Sequence, residues 1–283
     1  MPFETLTTEL DHRTLTVTLN RPERMNALTT KMLAELLQVF DEIDQNDEIR
    51  VAIVTGAGRA FCAGADLGGG GGTFDHSEEE EAREHRDGGG LGSLRIFECK
   101  KPVIAAINGA AVGVGVTLTL PMDVRIASET AKFGFVFARR GIVPEACSSW
   151  FLPRLVGISQ AMEWVATGRV FGAQEALAGG LVSRVVPPDQ LLPAARALAA
   201  EIADHTSAVS VALARQLMWR MLGADHPMEA HKLDSRAIYA MGQSPDGYEG
   251  VKSFLEKRPA NFTMKVSSDM PDFFPWWKPR KFE

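Results

Sequence analysis

Residues 56–67 read Gly56-Ala57-Gly58-Arg59-Ala60-Phe61-Cys62-Ala63-Gly64-Ala65-Asp66-Leu67, directly after the apolar run Val51 to Thr55. A buried strand that runs into so many small residues lets a ligand approach the main chain, so that peptide N–H groups can point at a developing negative charge. Two other glycine loops are excluded. The third glycine of G-x-G-x-x-G falls on Phe61, and no Gly-Lys-Ser/Thr follows. A second small-residue stretch, Asn108-Gly109-Ala110-Ala111-Val112-Gly113-Val114-Gly115, lies between the strand-like run Val103 to Ile107 and the apolar helix expected over Val116 to Leu120. N–H groups are left unpaired at such a junction. Taken alone, either stretch is more simply a tight loop packed on the core; taken together, they are two turns that can face one ligand.

The surrounding pattern is mixed α/β. Leu15, Val17 and Leu19 alternate with polar residues up to Arg21-Pro22, which predicts a half-buried strand. Met32, Leu33, Leu36, Leu37, Phe40 and Ile43 recur at three- and four-residue spacing and predict a helix over Thr30 to Asp44. Between Ala63 and Gly92 the periodicity dissolves into Gly68 to Gly72, the acidic run Glu78 to Glu81, and Gly88 to Gly90. That composition predicts an insertion or lid with at most one short helix, ordering when ligand binds. A strand is expected at Val124 to Ala127, and helices at Trp150 to Val156, Ala161 to Ala166, Gln174 to Ala178, Pro188 to Asp204 and Ser207 to Leu222. These elements divide the chain into a strand-and-turn core over 1–200, a helical layer over 201–266 and an aromatic, proline-rich tail over 267–283. The tail, with Phe273, Phe274, Trp276 and Trp277, is too aromatic for a disordered end and is expected to dock on its own subunit or a neighbour.

The 283 residues are 45% apolar, enough for a real core, and carry a formal net charge of −6. That balance speaks against nucleic-acid and anionic-membrane surfaces, so a phosphate-bearing ligand must rely on a few local cations. Three cysteines, Cys62, Cys99 and Cys147, make no disulfide framework. With no secretory leader in the first ten residues and no run long enough for a transmembrane span, a cytoplasmic setting is expected. His226 and His231 stand five apart and do not form the i, i+4 pair of a metal site, so no metal is expected.

In order and spacing the motifs resemble the crotonase superfamily, the enoyl-CoA hydratases and isomerases. Ala60-Phe61-Cys62-Ala63-Gly64-Ala65-Asp66 and Lys101-Pro102-Val103-Ile104-Ala105-Ala106-Ile107-Asn108-Gly109 match its two signature sites. The likeness continues through Asp123, Phe133-Gly134, Gly141-Ile142-Val143-Pro144, Gly179-Gly180-Leu181-Val182 and Phe254-Leu255-Glu256-Lys257-Arg258. The resemblance implies an α/β fold with a ββα superhelix core and a helical C-terminal layer. It also implies a homotrimer or dimer of trimers, and an acyl-CoA thioester substrate whose coenzyme A arrives with it, so that no separate cofactor is needed. Its oxyanion hole falls on the backbone N–H groups of Ala65 and Val114, flanked by Gly64 and Gly113. Its coenzyme A contacts fall on Arg24, the main chain at Ala27 and Ala63, and Lys257, with Asp66, Leu67, Trp150 and Phe254 near the substrate.

The two glutamates of the hydratases fall on Thr117 and Phe137, neither of which can act as a general base near neutral pH. Glu145, in Pro144-Glu145-Ala146-Cys147-Ser148-Ser149-Trp150, remains. It resembles the proton-shuttling glutamate of Δ3,Δ2-enoyl-CoA isomerases, and one carboxylate is enough to move a proton from C2 to C4 of a 3-enoyl thioester. A purely structural reading of Glu145 also exists: Pro144 followed by an acid is an ordinary helix start, with the acid complementing the helix dipole. Phe137 and Trp150 are expected to line its pocket. Cys62 and Cys147 have no recognisable base partner and read as packing residues, Asp66 as a brace of its own loop, and Tyr239 and Tyr248 as packing in the helical layer. Double-bond isomerisation is therefore the favoured activity, with hydration around a differently held water, or acyl-CoA binding without chemistry, as alternatives.

Overall fold

In the computed structural model, which describes residues 3–75 and 85–282, the chain passes repeatedly between two sheets. The strands and helices in the first half are β1 (Leu6–Asp11), β2 (Thr14–Leu19), α1 (Thr30–Gln45), β3 (Val51–Gly56), β4 (Ala60–Cys62), α2 (Gly88–Glu98), β5 (Val103–Ile107), β6 (Ala110–Val112), α3 (Val114–Thr117), β7 (Val124–Ser128) and β8 (Lys132–Gly134). The second half adds α4 (Ser148–Val156), α5 (Ile158–Thr167), β9 (Val170–Gly172), α6 (Ala173–Ala178), β10 (Arg184–Val186), α7 (Leu191–His205), α8 (Ala208–Met221), α9 (Pro227–Gly242) and α10 (Pro245–Glu256). One sheet has the order β1-β2-β3-β5-β7-β10 and the other β4-β6-β8-β9. Each pair β3–β4, β5–β6 and β7–β8 thus puts its first strand in the large sheet and its second in the small one. Repeating that step gives the ββα spiral.

The large sheet is covered on both faces, which explains why β3 reads as a continuous apolar run. Val51 and Ile53 turn toward α7 with Ile104, Ala106 and Ile126, against Leu191, Ala195, Ala199 and Ala203 at four-residue spacing. Ala52 and Val54 point the other way, into a core shared with Met32, Leu36, Val39, Phe40 and Ile43 of α1. The helix start at Thr30 follows from the side chain of Thr29, which accepts a hydrogen bond from the Met32 N–H.

One strand has no signal in the sequence, and two local expectations are corrected. The strand β1 pairs with β2 through its backbone although five of its six residues are exposed, so no apolar alternation announced it. Ala110 to Val112 is a strand rather than part of a loop, and the helix after it is the short turn α3, beginning at Val114. Gly88 to Gly92 is not lid but the first turn and a half of α2, started by the Asp87 side chain, which accepts from the Gly90 N–H. The acidic run Glu78 to Glu81 lies outside the described residues.

The C-terminal layer is fastened through α8. Arg215, almost wholly buried, donates to Asp123 Oδ2 at 2.8 Å and to the carbonyls of Ile96, Phe97 and Cys99. Asp123 also accepts from Trp219 Nε1 and from the Val103 N–H, so one carboxylate ties α8 to the start of β5. Beyond α8, α9 has no buried residue, and Ile238, Tyr239, Tyr248, Val251, Phe254 and Leu255 face outward; for the two tyrosines this replaces the expected packing role. The tail returns to this same chain, with Ser267 donating to Asp47, Trp277 lying over the Arg220 guanidinium and Phe282 over that of Arg86. Among the described residues no helix is long and apolar enough to cross a membrane. Replacing Arg215 by Met is predicted to cost about 3–5 kcal/mol, because it leaves Asp123 charged without its cation. Urea unfolding of the two proteins measures the difference, and a loss below about 1 kcal/mol would contradict this account.

Candidate active site

The strands β4 and β6 are neighbours and parallel, with Ala60 opposite Ala110 and Cys62 opposite Ala111, so both small-residue turns leave the same edge of the small sheet side by side. Each turn contains a glycine in a conformation that L-residues avoid: Gly64 at φ 113° and Gly113 at φ 55°. The two glycines are also close. A methyl group built on Gly113 would stand 3.8 Å from Gly64 Cα, and one on Gly64 3.2 Å from the Val112 carbonyl oxygen.

The residues after these glycines are Ala65 and Val114. Ala65 sits opposite Leu28 in a parallel bridge whose hydrogen bonds use Gly64 O and the Asp66 N–H, which turns the Ala65 N–H to the other side. Val114 is the first residue of α3, where an N–H has no intrahelical acceptor. Neither N–H donates to an acceptor among the described residues. The geometry therefore brings together two free donors.

Glu145 lies one helical turn from this edge. Thr117, three residues after Val114 on α3 and fully buried, donates from Oγ1 to Glu145 Oε1 at 2.6 Å. The other oxygen is pressed against α2: a Cβ on Gly89 would come within 1.9 Å of Glu145 Oε2. Glycine at 89 is thus a notch that admits the carboxyl. The helix-start reading of Glu145 is corrected, since α4 begins at Ser148 after Ala146 and Cys147, both at positive φ. Trp150 packs edge-on against Phe97 and Phe151, and Phe137 is buried in the core. The groups found against Glu145 are Gly89, Thr117 and Asp87, the last of which the sequence reading did not single out.

Burial, followed by the neighbouring Asp87 carboxylate, raises the Glu145 carboxyl to about 7, against the lowering effect of the Thr117 hydrogen bond. The Cys62 thiol is pushed up to about 11 by burial, so it is no thiolate nucleophile near neutral pH.

Asp66 braces its loop. It accepts from the Gly68 N–H and pairs with Arg21 at 2.9 Å and Arg24 at 3.1 Å. Arg21, absent from the sequence-derived candidates, also donates to the Ala27 carbonyl at 2.6 Å, while the Ala63 N–H is taken by Met25 O. Arg24 remains half exposed, and an exposed pair of this kind is worth at most about 1 kcal/mol, so its guanidinium can exchange Asp66 for a phosphate. Leu67 is exposed beside them. Phe254 is exposed near the end of α10 and Lys257 caps that helix; among the described residues no hydrogen bond or ion pair links either to the glycine turns.

The raised Glu145 carboxyl has a consequence for stability. A folded-state value near 7, above the ordinary 4.5, means its contribution is fully present below pH 4.5 and is lost as pH rises through 7. Glu145→Gln keeps an acceptor for Thr117 and removes this loss. Relative to wild type the variant should match it near pH 4.5 and be more stable at pH 8.5, by on the order of 3 kcal/mol. Denaturant midpoints at the two pH values test this, and an equal difference at both would contradict it.

Comparison with known proteins identifies the family and the fold. The sequence model of the enoyl-CoA hydratase/isomerase family matches residues 10–265. The chain is 45% identical over 247 residues to the enoyl-CoA hydratase ACTT3 of Alternaria alternata, covering 87% of this chain and 81% of that protein. It is 32% identical over 275 residues to the 1,2-epoxyphenylacetyl-CoA isomerase of Escherichia coli, covering 93% and 100%. A crystal structure of enoyl-CoA hydratase from Bacillus anthracis superposes with a TM-score of 0.81 at 32% identity, covering 92% of this chain and 99% of that one. With these matches over nearly all of its length, the chain belongs to the enoyl-CoA hydratase/isomerase family and has the crotonase fold.

Proposed function

We propose that this family member moves the double bond of an enoyl-CoA, taking a 3-enoyl thioester to its conjugated 2-enoyl isomer. The observation that carries this reading is the position of Glu145, a buried carboxyl at about 7 held by Thr117, one turn along α3 from the free Val114 N–H. In the proposed reaction the thioester oxygen accepts from the Ala65 and Val114 N–H groups. Glu145 removes a proton from C2, the electron pair moves onto that oxygen, and the same proton returns at C4. Two preorganised donors suit an enolate better than a neutral thioester, and losing one such donor costs about 3 kcal/mol in the transition state. A base with affinity near 7 matches the operating pH, and an ordinary carboxylate near 4.5 would be a weaker one.

The nucleotide end of the substrate is assigned to the Arg24 side, with Ala27 and Ala63 offering carbonyl acceptors and Lys257 a further cation. Hydration of a 2-enoyl-CoA is the second reading. Two observations favour it: the hydratase name carried by the Alternaria relative, and a second carboxylate, Asp87, beside Glu145. Against it stand Thr117 and Phe137 at the positions expected to hold the hydratase glutamates.

Turnover of a medium-chain 3-enoyl-CoA, followed as the conjugated product, separates the readings. Wild type should convert it, with kcat/KM rising with pH to a plateau above about 7 as Glu145 loses its proton. Glu145→Gln should lose at least about a hundredfold. Inert wild type together with active hydration of a 2-enoyl-CoA would replace isomerisation by the second reading.

A further inference from the structure

No motif marks Asp87, yet the fold carries it to Glu145. Its carboxylate is fixed by backbone donors from two directions, the Gly90 N–H of its own helix and the Ala146 N–H at 3.2 Å, the residue after Glu145. Glu145 Oε1 is occupied by Thr117, while Oε2 faces the first turn of α2, where Gly89 leaves room and where Asp87 starts the helix. The two carboxyls meet at this turn, Glu145 Oε2 against Gly89 and Asp87 Oδ2 against Gly90, close enough to act on each other, so a proton on one can be shared with the other. Asp87 accepts from two backbone N–H groups, while Glu145 is the carboxyl raised by burial.

We propose that Asp87 is a positioning residue for the proton shuttle: its fixed carboxylate accepts the hydrogen bond of protonated Glu145 and holds the proton in place between its removal from C2 and its return. This rests on the reading of Glu145 as the shuttle. The proton balance closes without any co-reactant. The C2 proton passes to Glu145, the electron pair of the C2–H bond moves to the thioester oxygen, Glu145 donates to Asp87 while the enolate lasts, and the proton is delivered to C4. Asp87 gains no proton over the cycle. An acid of ordinary strength at 145 would release its proton to water instead, so burial and then the neighbouring Asp87 make Glu145 both a stronger base and a longer-lived acid.

Other titratable groups face the pair. Cys62 comes from β4 and Cys147 from the start of α4; burial pushes both thiols up, so they stay neutral through pH 7. Arg86, next to Asp87, acts on Cys147 and lies beneath the ring of Phe282. Among the described residues, Asp87 is the acidic group that acts on Glu145.

The test uses Asp87→Asn and Asp87→Ser, both of which still accept from the Gly90 N–H and so keep α2 capped. With carboxyl-13C glutamate in the protein, the Glu145 resonance is identified by its disappearance in Glu145→Gln and its titration followed by NMR. In both Asp87 variants the Glu145 midpoint should fall by about one pH unit or more. The acid limb of kcat/KM should move down with it, and KM should change little. An unmoved midpoint and an unmoved limb in both variants would overturn the proposal, because a purely structural role for Asp87 would leave them in place. The two readings fail separately: retained turnover in Glu145→Gln removes the shuttle, whereas an unshifted NMR titration beside an inactive Glu145→Gln removes only Asp87.

Discussion

The parallel pairing of β4 with β6 is the constraint on which the site depends. Two strands that end at the same edge must present their following turns side by side, and glycines at 64 and 113 let both chains bend there with φ values that a side chain would oppose. Two N–H groups are then left pointing out of a rigid edge at no further cost in ordering. The spiral of paired strands repeats the geometry, but among the described residues β4 and β6 are the small-sheet strands followed by such a glycine and an unpaired donor. The large sheet behind them, clamped by α7 on one face and α1 on the other, holds the edge in place.

Around that edge the electrostatics oppose one another by design of position. The Thr117 hydrogen bond favours the Glu145 anion, while burial and the Asp87 carboxylate disfavour it, and the result stands near neutrality. Such a carboxyl weakens the folded state at alkaline pH, and an amide in its place would not. A carboxyl that burdens stability while sitting one turn from two free donors is the observation on which the proposed role of Glu145 rests.

The fold was legible in the sequence wherever burial enforced a period. Thr30 to Asp44 and Val103 to Ile107 read correctly because each has a face, or two faces, that must be apolar. The strand β1 was not legible, since its side chains are exposed and only its backbone bonds to β2 define it. The start of α2 was hidden for the opposite reason: three successive glycines are poor helix formers, and tertiary packing overrides that preference because Gly89 must make room for Glu145. The two turns and Glu145 were visible as motifs, and the turns lie side by side because β4 pairs with β6. Asp87 and Arg21 were not, because what distinguishes them is contact with residues far away in the chain, for which one sequence carries no spacing rule.

The central claim is that this site makes a thioester enolate with Glu145 as base, whichever product follows. Exchange at C2 of a saturated acyl-CoA in D2O measures that step alone, with no double bond to move and no water to add. The account predicts deuterium incorporation at C2 by the wild type, seen by NMR or mass spectrometry, and its loss by at least about a hundredfold in Glu145→Gln. Exchange that persists unchanged in that variant, or is absent from wild type while the thioester binds, would contradict it.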